Sequence, residues 1–232
     1  VKRDSVADAT NNPDCLILHP DAPFNLLQKP QFLSEDEYVS AFTTCLVDVY
    51  YAAEHAKQVT TEAFRRVLST TSTPTIAALH EAVKGMYSKS DTYSRRDAIT
   101  GVALRLERFS HTYPGLCNTA QSITFDELFK HSIYIPVTAL NEANKLLLSY
   151  LAHMLFFHNM AKDLRNGLRT VIYLDEGILT WHKNQQPIQG TPLLSYLENM
   201  LREYATAMVI TACSITQLDS MLKSSMFLQV SL

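Results

Sequence analysis

Arg169-Thr170-Val171-Ile172-Tyr173-Leu174-Asp175-Glu176-Gly177 carries more of this chain's organisation than any other stretch. Three apolar residues, Val171, Ile172 and Leu174, predict a short buried strand that ends at two adjacent carboxylates. A strand that delivers an Asp-Glu pair at its carboxyl tip is what a nucleoside triphosphatase requires. The Asp orients Mg²⁺ and its waters on the phosphates, and the Glu accepts a proton from the attacking water. In open α/β sheets ligands lie at the carboxyl ends of the strands, so the placement agrees with the chemistry. A buried strand followed by an acidic helix start would carry the same residues, because the helix dipole favours carboxylates there.

Outward from this strand the pattern alternates. Residues 132–137 are strand-like, 141–165 predict a long amphipathic helix, and the Asp-Glu strand follows at 170–174. A polar loop around 183–190 leads to a helix over 191–205, a strand over 207–213, a helix over 214–225 and a last strand over 226–232. A βαβαβαβ order implies a parallel sheet with helices on both faces. Upstream, residues 14–19 (Asp-Cys-Leu-Ile-Leu-His) predict one more short strand, after the turn-forming Asn11-Asn12-Pro13. Between these strands the chain is helical. Ser34-Glu35-Asp36-Glu37 is a capping-box start for a helix to about residue 57, and Thr60-Thr61-Glu62-Ala63 opens another to about residue 69. Apolar spacing at Ile76, Leu79, Val83 and Met86 predicts a helix over 75–88, and Ile99, Val102, Leu106 and Phe109 predict one over 93–112. The expected fold class is therefore α/β. Residues 1–33 and 131–232 form the core, and 34–130 form an all-α insertion.

Composition is that of an ordinary globular protein: 232 residues, 47% hydrophobic, 19% charged, net charge −3. No global basic field advertises nucleic acid or an acidic membrane. Four widely separated cysteines (Cys15, Cys45, Cys117, Cys213) contain no Cys-x-x-Cys pair and read as buried free thiols in a reducing compartment. No apolar run approaches the ~18 residues of a membrane span, and a secretory signal is absent. Only six glycines are present, and Gly-x-x-x-x-Gly-Lys-[Ser/Thr] appears nowhere. The chain starts at Val1 and stops at Leu232 straight after a strand-like run, as expected of a piece of a longer polypeptide.

Taken together, these elements resemble the FtsK/HerA superfamily of P-loop motor ATPases, closest to its conjugation and type IV secretion branch. Phe24-Asn25-Leu26-Leu27 stands where that family carries an asparagine-proline-leucine loop ahead of its helical insertion, with Leu26 in place of the proline. Val171-Ile172-Tyr173-Leu174-Asp175-Glu176-Gly177 is similar to its Walker B strand. Residues 197–204 followed by Met208-Val209-Ile210-Thr211 resemble the helix and sensor strand that come next. The resemblance implies a RecA-like sheet, a Walker A loop upstream of Val1, and ATP with Mg²⁺ as cofactors. It implies Asp175 as the metal residue, Glu176 as the catalytic base and Arg202 as a phosphate or inter-subunit contact; either Gln217 is recruited to the nucleotide through a shifted loop, or polar sensing is lost. It further implies a hexameric ring, DNA or a secreted protein as cargo, and a membrane channel or adaptor proteins as partners. The location implied is cytoplasmic, or peripheral at the inner face of a membrane. Without the phosphate loop, ATP hydrolysis is expected of the full-length protein and not of residues 1–232 alone.

Ala212-Cys213 occupies the place where the family carries its sensor glutamine, and a thiol cannot donate the two amide hydrogens of a Gln. That departure supports a second class of protein, an interaction or scaffold module on a degenerate ATPase fold whose helical insertion binds a partner. Arg65, Arg66, Arg95, Arg96, Arg105 and Arg108 could reach a neighbouring subunit's phosphate, or simply form solvated helix faces. Arg202 could equally be a helix C-terminal cation. His153 and His158 lie about 140° apart around a helix and do not share a face. Met154, Phe156, Phe157 and Met160 read as core, and Trp181 as a residue that packs its loop or stacks on a base.

Overall fold

The structure, a computed structural model, describes residues 15–50, 54–120, 122–136, 141–165, 168, 170–174, 203–204 and 206–210. The chain forms two compact units, Val1–Thr138 and Ala139–Leu232.

In the first unit, strand β1 (Cys15–Ile17) pairs in parallel with β2 (Ser132–Tyr134), in the register Cys15↔Ser132 to Ile17↔Tyr134. The Leu18 N–H extends the ladder to the Tyr134 carbonyl at 3.0 Å. Parallel neighbours need a long crossover, and here it is a helical assembly. It comprises α1 (Glu35–Val49), α2 (Glu54–Thr70), α3 (Ile76–Lys84), α4 (Tyr93–Thr112), α5 (Pro114–Asn118) and α6 (Phe125–Leu128). The second strand is shorter than the apolar run 132–137 suggests. Pro136, two residues past its end, has no N–H to offer a ladder.

Short polar side chains start the helices. Ser34 Oγ accepts from the Glu37 N–H at 3.3 Å while the Glu37 carboxylate accepts from the Ser34 N–H at 2.9 Å, a reciprocal box. The Ser34 hydroxyl also donates to the Glu37 carboxylate at 2.6 Å, and this bond, with the one from the Ser34 N–H, holds the exposed Glu37 carboxyl below its usual range. Thr75, Thr92 and Thr124 cap α3, α4 and α6 through N–H groups three residues on. A cap of this kind is worth about 1 kcal/mol. Burial of one face then supplies the rest. Tyr38, Phe42 and Leu46, four apart on α1, are fully buried. Phe64 of α2 receives both rings edge-on, at 5.0 Å from Tyr38 and 5.7 Å from Phe42. Around α2 gather α1, α3 and α4, and α5 closes on α3 and α4. Ile76, Leu79, Val83 and Met86, with Ile99, Val102, Leu106 and Phe109, are all buried, as their spacing predicts.

Two boundaries differ from expectation. α1 ends at Val49 and α2 already runs from Glu54, so Thr60 lies inside a helix rather than at its start. Its buried hydroxyl donates to the Ala56 carbonyl one turn back at 2.8 Å, which satisfies it without a capping role.

In the second unit α7 (Glu142–Ala161), capped by Asn141, precedes β3 (Thr170–Leu174) and β4 (Thr206–Ile210). The helix stops four residues before the expected 165. Asp163 takes a left-handed backbone, φ 49°. The Asp163 N–H donates to Met160 O at 3.1 Å and the Leu164 N–H to Asn159 O at 3.0 Å. This is the hydrogen-bond pair of a Schellman stop, built on an Asp where a glycine would be legible in sequence. Met154 is buried, Phe156 and Phe157 are half-buried and Met160 is exposed, so only part of the expected apolar set is core. Strands β3 and β4 are parallel, from Thr170↔Thr206 to Leu174↔Ile210.

The described residues are thus mostly helical, with two separate two-stranded parallel sheets. Residues 191–202 and 205 of the helix predicted over 191–205, the helix predicted over 214–225 and the strand predicted over 226–232 lie outside the described residues.

Candidate nucleotide site

The strand that leads to the acidic pair forms over the expected residues, Thr170–Leu174. It is not buried throughout. Val171 is 56% exposed, while Thr170 and Ile172, on the opposite face of the pleat, are half-buried. Its apolar run therefore overstates its burial, because a strand pair can leave one face to solvent. The neighbour is β4, which runs the same way and leaves the ladder at Ile210, beside Leu174. The two carboxyl ends lie side by side, and Asp175-Glu176 is the next dipeptide after Leu174 in the chain. Asp175, Glu176, Arg202 and Gln217 themselves lie outside the described residues, as do Trp181 and Ala212-Cys213.

α7 and its terminating turn hold the approach to β4. Phe156 meets Tyr204 edge-on at 5.5 Å, and the Arg165 guanidinium lies 5.4 Å from the same ring. Arg165 is oriented in turn by Asp163, at 2.7 Å. Tyr204 is buried, and the Thr206 hydroxyl donates to its carbonyl at 3.1 Å. His153, one turn before Phe157 and stacked on it at 4.8 Å, is pushed down to about 4 by burial. It is neutral at pH 7 and supplies no cation for phosphate.

Arg65, Arg66, Arg95 and Arg105 of the first unit have carboxylate or ring partners on their own surface. Arg65 pairs with Asp36 at 2.8 Å and Arg66 with Glu62 at 3.1 Å. Arg95 takes the other oxygen of Glu62 at 2.8 Å and approaches Asp91 at 3.8 Å. The Arg95 hydrogen bond, foremost among these, holds the Glu62 carboxyl below its usual range. Arg105 lies over the Tyr50 ring at 5.4 Å. Exposed pairs such as these contribute at most about 1 kcal/mol each. The described cysteines Cys15, Cys45 and Cys117 form no disulfide with one another; Cys45 and Cys117 are buried and Cys15 half-buried.

A feature with a stronger structural role than its sequence suggests is Phe24-Asn25-Leu26-Leu27. Asn25, Leu26 and Leu27 are completely buried. Asn25 Nδ2 donates to the Pro74 carbonyl at 3.0 Å and to the Ala120 carbonyl at 3.5 Å, and its Oδ1 accepts from the Leu27 N–H at 2.9 Å. One side chain thereby ties the loop after β1 to the α2–α3 and α5–α6 connections. The Tyr38 hydroxyl donates to the Leu27 carbonyl, which adds α1. A buried group left without its partner costs about 1–3 kcal/mol, so this amide anchors the helical assembly to β1. The dipeptide Asn-Leu in a proline-rich loop gave no hint of it, since all its partners are remote in sequence.

Among the described residues no helix is long and apolar enough to cross a membrane, and no group of three His, Cys, Asp or Glu could hold a metal ion. No protein-family model matches the chain, and no curated protein matches it.

Proposed function

We propose that the chain is the C-terminal part of an ATP-hydrolysing motor of the FtsK/HerA type, with Asp175 and Glu176 at its nucleotide site. The observation that supports this reading is the β3–β4 pair: two parallel strands end side by side, and an Asp-Glu dipeptide follows the first. Carboxyl ends of neighbouring parallel strands are where open α/β sheets bind ligands. The complete protein would carry a RecA-like sheet, and the helical assembly between β1 and β2 would be its insertion.

The donor chemistry fits the ion, because carboxylate oxygens suit Mg²⁺, which keeps several waters and is held by one or two carboxylates together with phosphates. Mg²⁺ supplies neutralisation of charge on the transferring phosphoryl group. Asp175 would hold Mg²⁺, Glu176 would take the proton of the attacking water, and Gln217 and Arg202 would contact the nucleotide. The working assembly is a hexameric ring that moves DNA or a secreted protein. It lies in the cytoplasm or at the inner face of a membrane, where channel or adaptor proteins dock.

Asp175→Asn in the full-length protein tests the metal assignment. The Mg²⁺ concentration that half-saturates ATP binding should rise about tenfold or more, the scale on which outer-sphere ligands act. An unchanged Mg²⁺ requirement would remove Asp175 from the site.

A further inference from the structure

α4 buries one side and leaves the other exposed. Ile99, Val102, Leu106 and Phe109 are buried, whereas Tyr93, Asp97, Leu104, Arg108 and His111 form an exposed stripe. At 3.6 residues per turn these five lie within about 60° of one another, on the side away from the buried four. Two of them are apolar or aromatic, Leu104 at 45% and Tyr93 at 77% exposure. Gly101 adjoins Leu104 on this side, and a glycine inside a helix costs about 1 kcal/mol relative to alanine. Among the described residues nothing demands it, because a Cβ there would meet only the end of the Arg105 side chain, at 3.2 Å.

The charges of the stripe complement themselves. Arg95, off the stripe, is held by Glu62 and Asp91, whereas Asp97 and Arg108 have no ion-pair partner among the described residues. A two-fold contact sets residue i of one copy against residue j of the other, and j against i. An antiparallel register that sets Asp97 opposite Arg108 of a second copy also sets Leu104 opposite Gly101, and Glu107 opposite the uncharged Ala98. Two ion pairs then form, and each Leu104 fills the space that Gly101 leaves without a side chain. A parallel pair would oppose Asp97 to Asp97 and Arg108 to Arg108, so charge selects the antiparallel arrangement.

We propose that the exposed face of α4 docks a second copy of this chain, antiparallel about a two-fold axis that passes between Gly101 and Leu104. A ring closes through head-to-tail contacts, whereas this contact is isologous and ends at two copies. It rests on no part of the ATPase reading. Its failure would leave that reading standing, and the reverse also holds.

Disulfide cross-linking of the full-length protein provides the test. Asp97→Cys combined with Arg108→Cys, oxidised and run on a non-reducing gel, should convert most of the protein into a covalent dimer. Within one chain the two positions lie about 16 Å apart along the helix, beyond the reach of a disulfide. Either single variant should stay at the wild-type level, because the new thiol then has no partner opposite it. Adding Leu104→Glu should slow dimer formation about tenfold or more, since it sets a carboxylate against the partner helix. In sedimentation equilibrium, Asp97→Arg should weaken the pairing about tenfold, and Asp97→Arg combined with Arg108→Asp should restore it. All three positions are exposed, so the variants should melt like wild type. No dimer from the paired cysteines, equal yield from either single variant, indifference to Leu104→Glu, or a charge swap that restores nothing would each overturn the proposal.

Discussion

Glu176→Gln in the full-length protein should lower the rate of ATP turnover by about 10²–10⁴-fold, the usual contribution of a positioned general base. ATP affinity should change little, because the amide keeps the shape of the carboxylate and loses only its ability to take a proton. The substitution therefore separates the base from the metal residue. On the proposed reading, loss of Asp175 would act through Mg²⁺, whereas loss of Glu176 would act on the attacking water. Phosphate release and equilibrium nucleotide binding, measured on the same preparation, check this directly. Turnover within twofold of wild type would remove Glu176 from the base role and leave the acidic pair as the start of a helix.

The second large effect is on stability. A Cβ at Gly115 would lie 2.4 Å from the Asp21 carbonyl carbon, 2.6 Å from Ala22 O and 2.7 Å from Asp21 O. These atoms are backbone and cannot rotate aside. The Gly115 N–H also donates to the Pro20 carbonyl at 2.9 Å, so α5 and the loop after β1 are held together where the clash would occur. Gly115→Ala should cost about 1–3 kcal/mol, the range for overpacked sites, and lower the melting temperature by roughly 2–12 °C. Gly101→Ala is the control. Its Cβ would meet only the end of the Arg105 side chain, at 3.2 Å, inside a helix where Ala is favoured by up to about 1 kcal/mol. Thermal unfolding of both variants should move in opposite directions; a Gly115→Ala protein that melts like wild type would mean that the two loops do not approach as described.

These two glycines also show where sequence was informative. α4 was legible from residue 93 to residue 112, because its apolar positions recur at helical spacing and all four that define it are buried. Ser34 announced α1, since a capping box is a local device whose parts lie three residues apart. The Asp-Glu strand and its parallel neighbour were legible for the same reason: short β-branched runs separated by a crossover. What was hidden depends on distant partners. Gly115 is special only because residues 21 and 22 approach it, and Asn25 because Pro74 and Ala120 do. The end of α7 was missed because Asp163 adopts the backbone usually left to glycine. Of the candidate site, the strand beneath it was legible and is described. Its chemistry-bearing residues Asp175, Glu176, Arg202 and Gln217 remain a reading of the sequence.

Phosphate release from ATP by the full-length protein, measured with Mg²⁺ and again with the metal chelated by EDTA, tests the central claim most directly. An ATP-driven motor with an Asp-Glu metal site should turn over in Mg²⁺ and stop in EDTA. A folded full-length protein that releases no phosphate in Mg²⁺, or releases it equally in EDTA, would contradict the assignment.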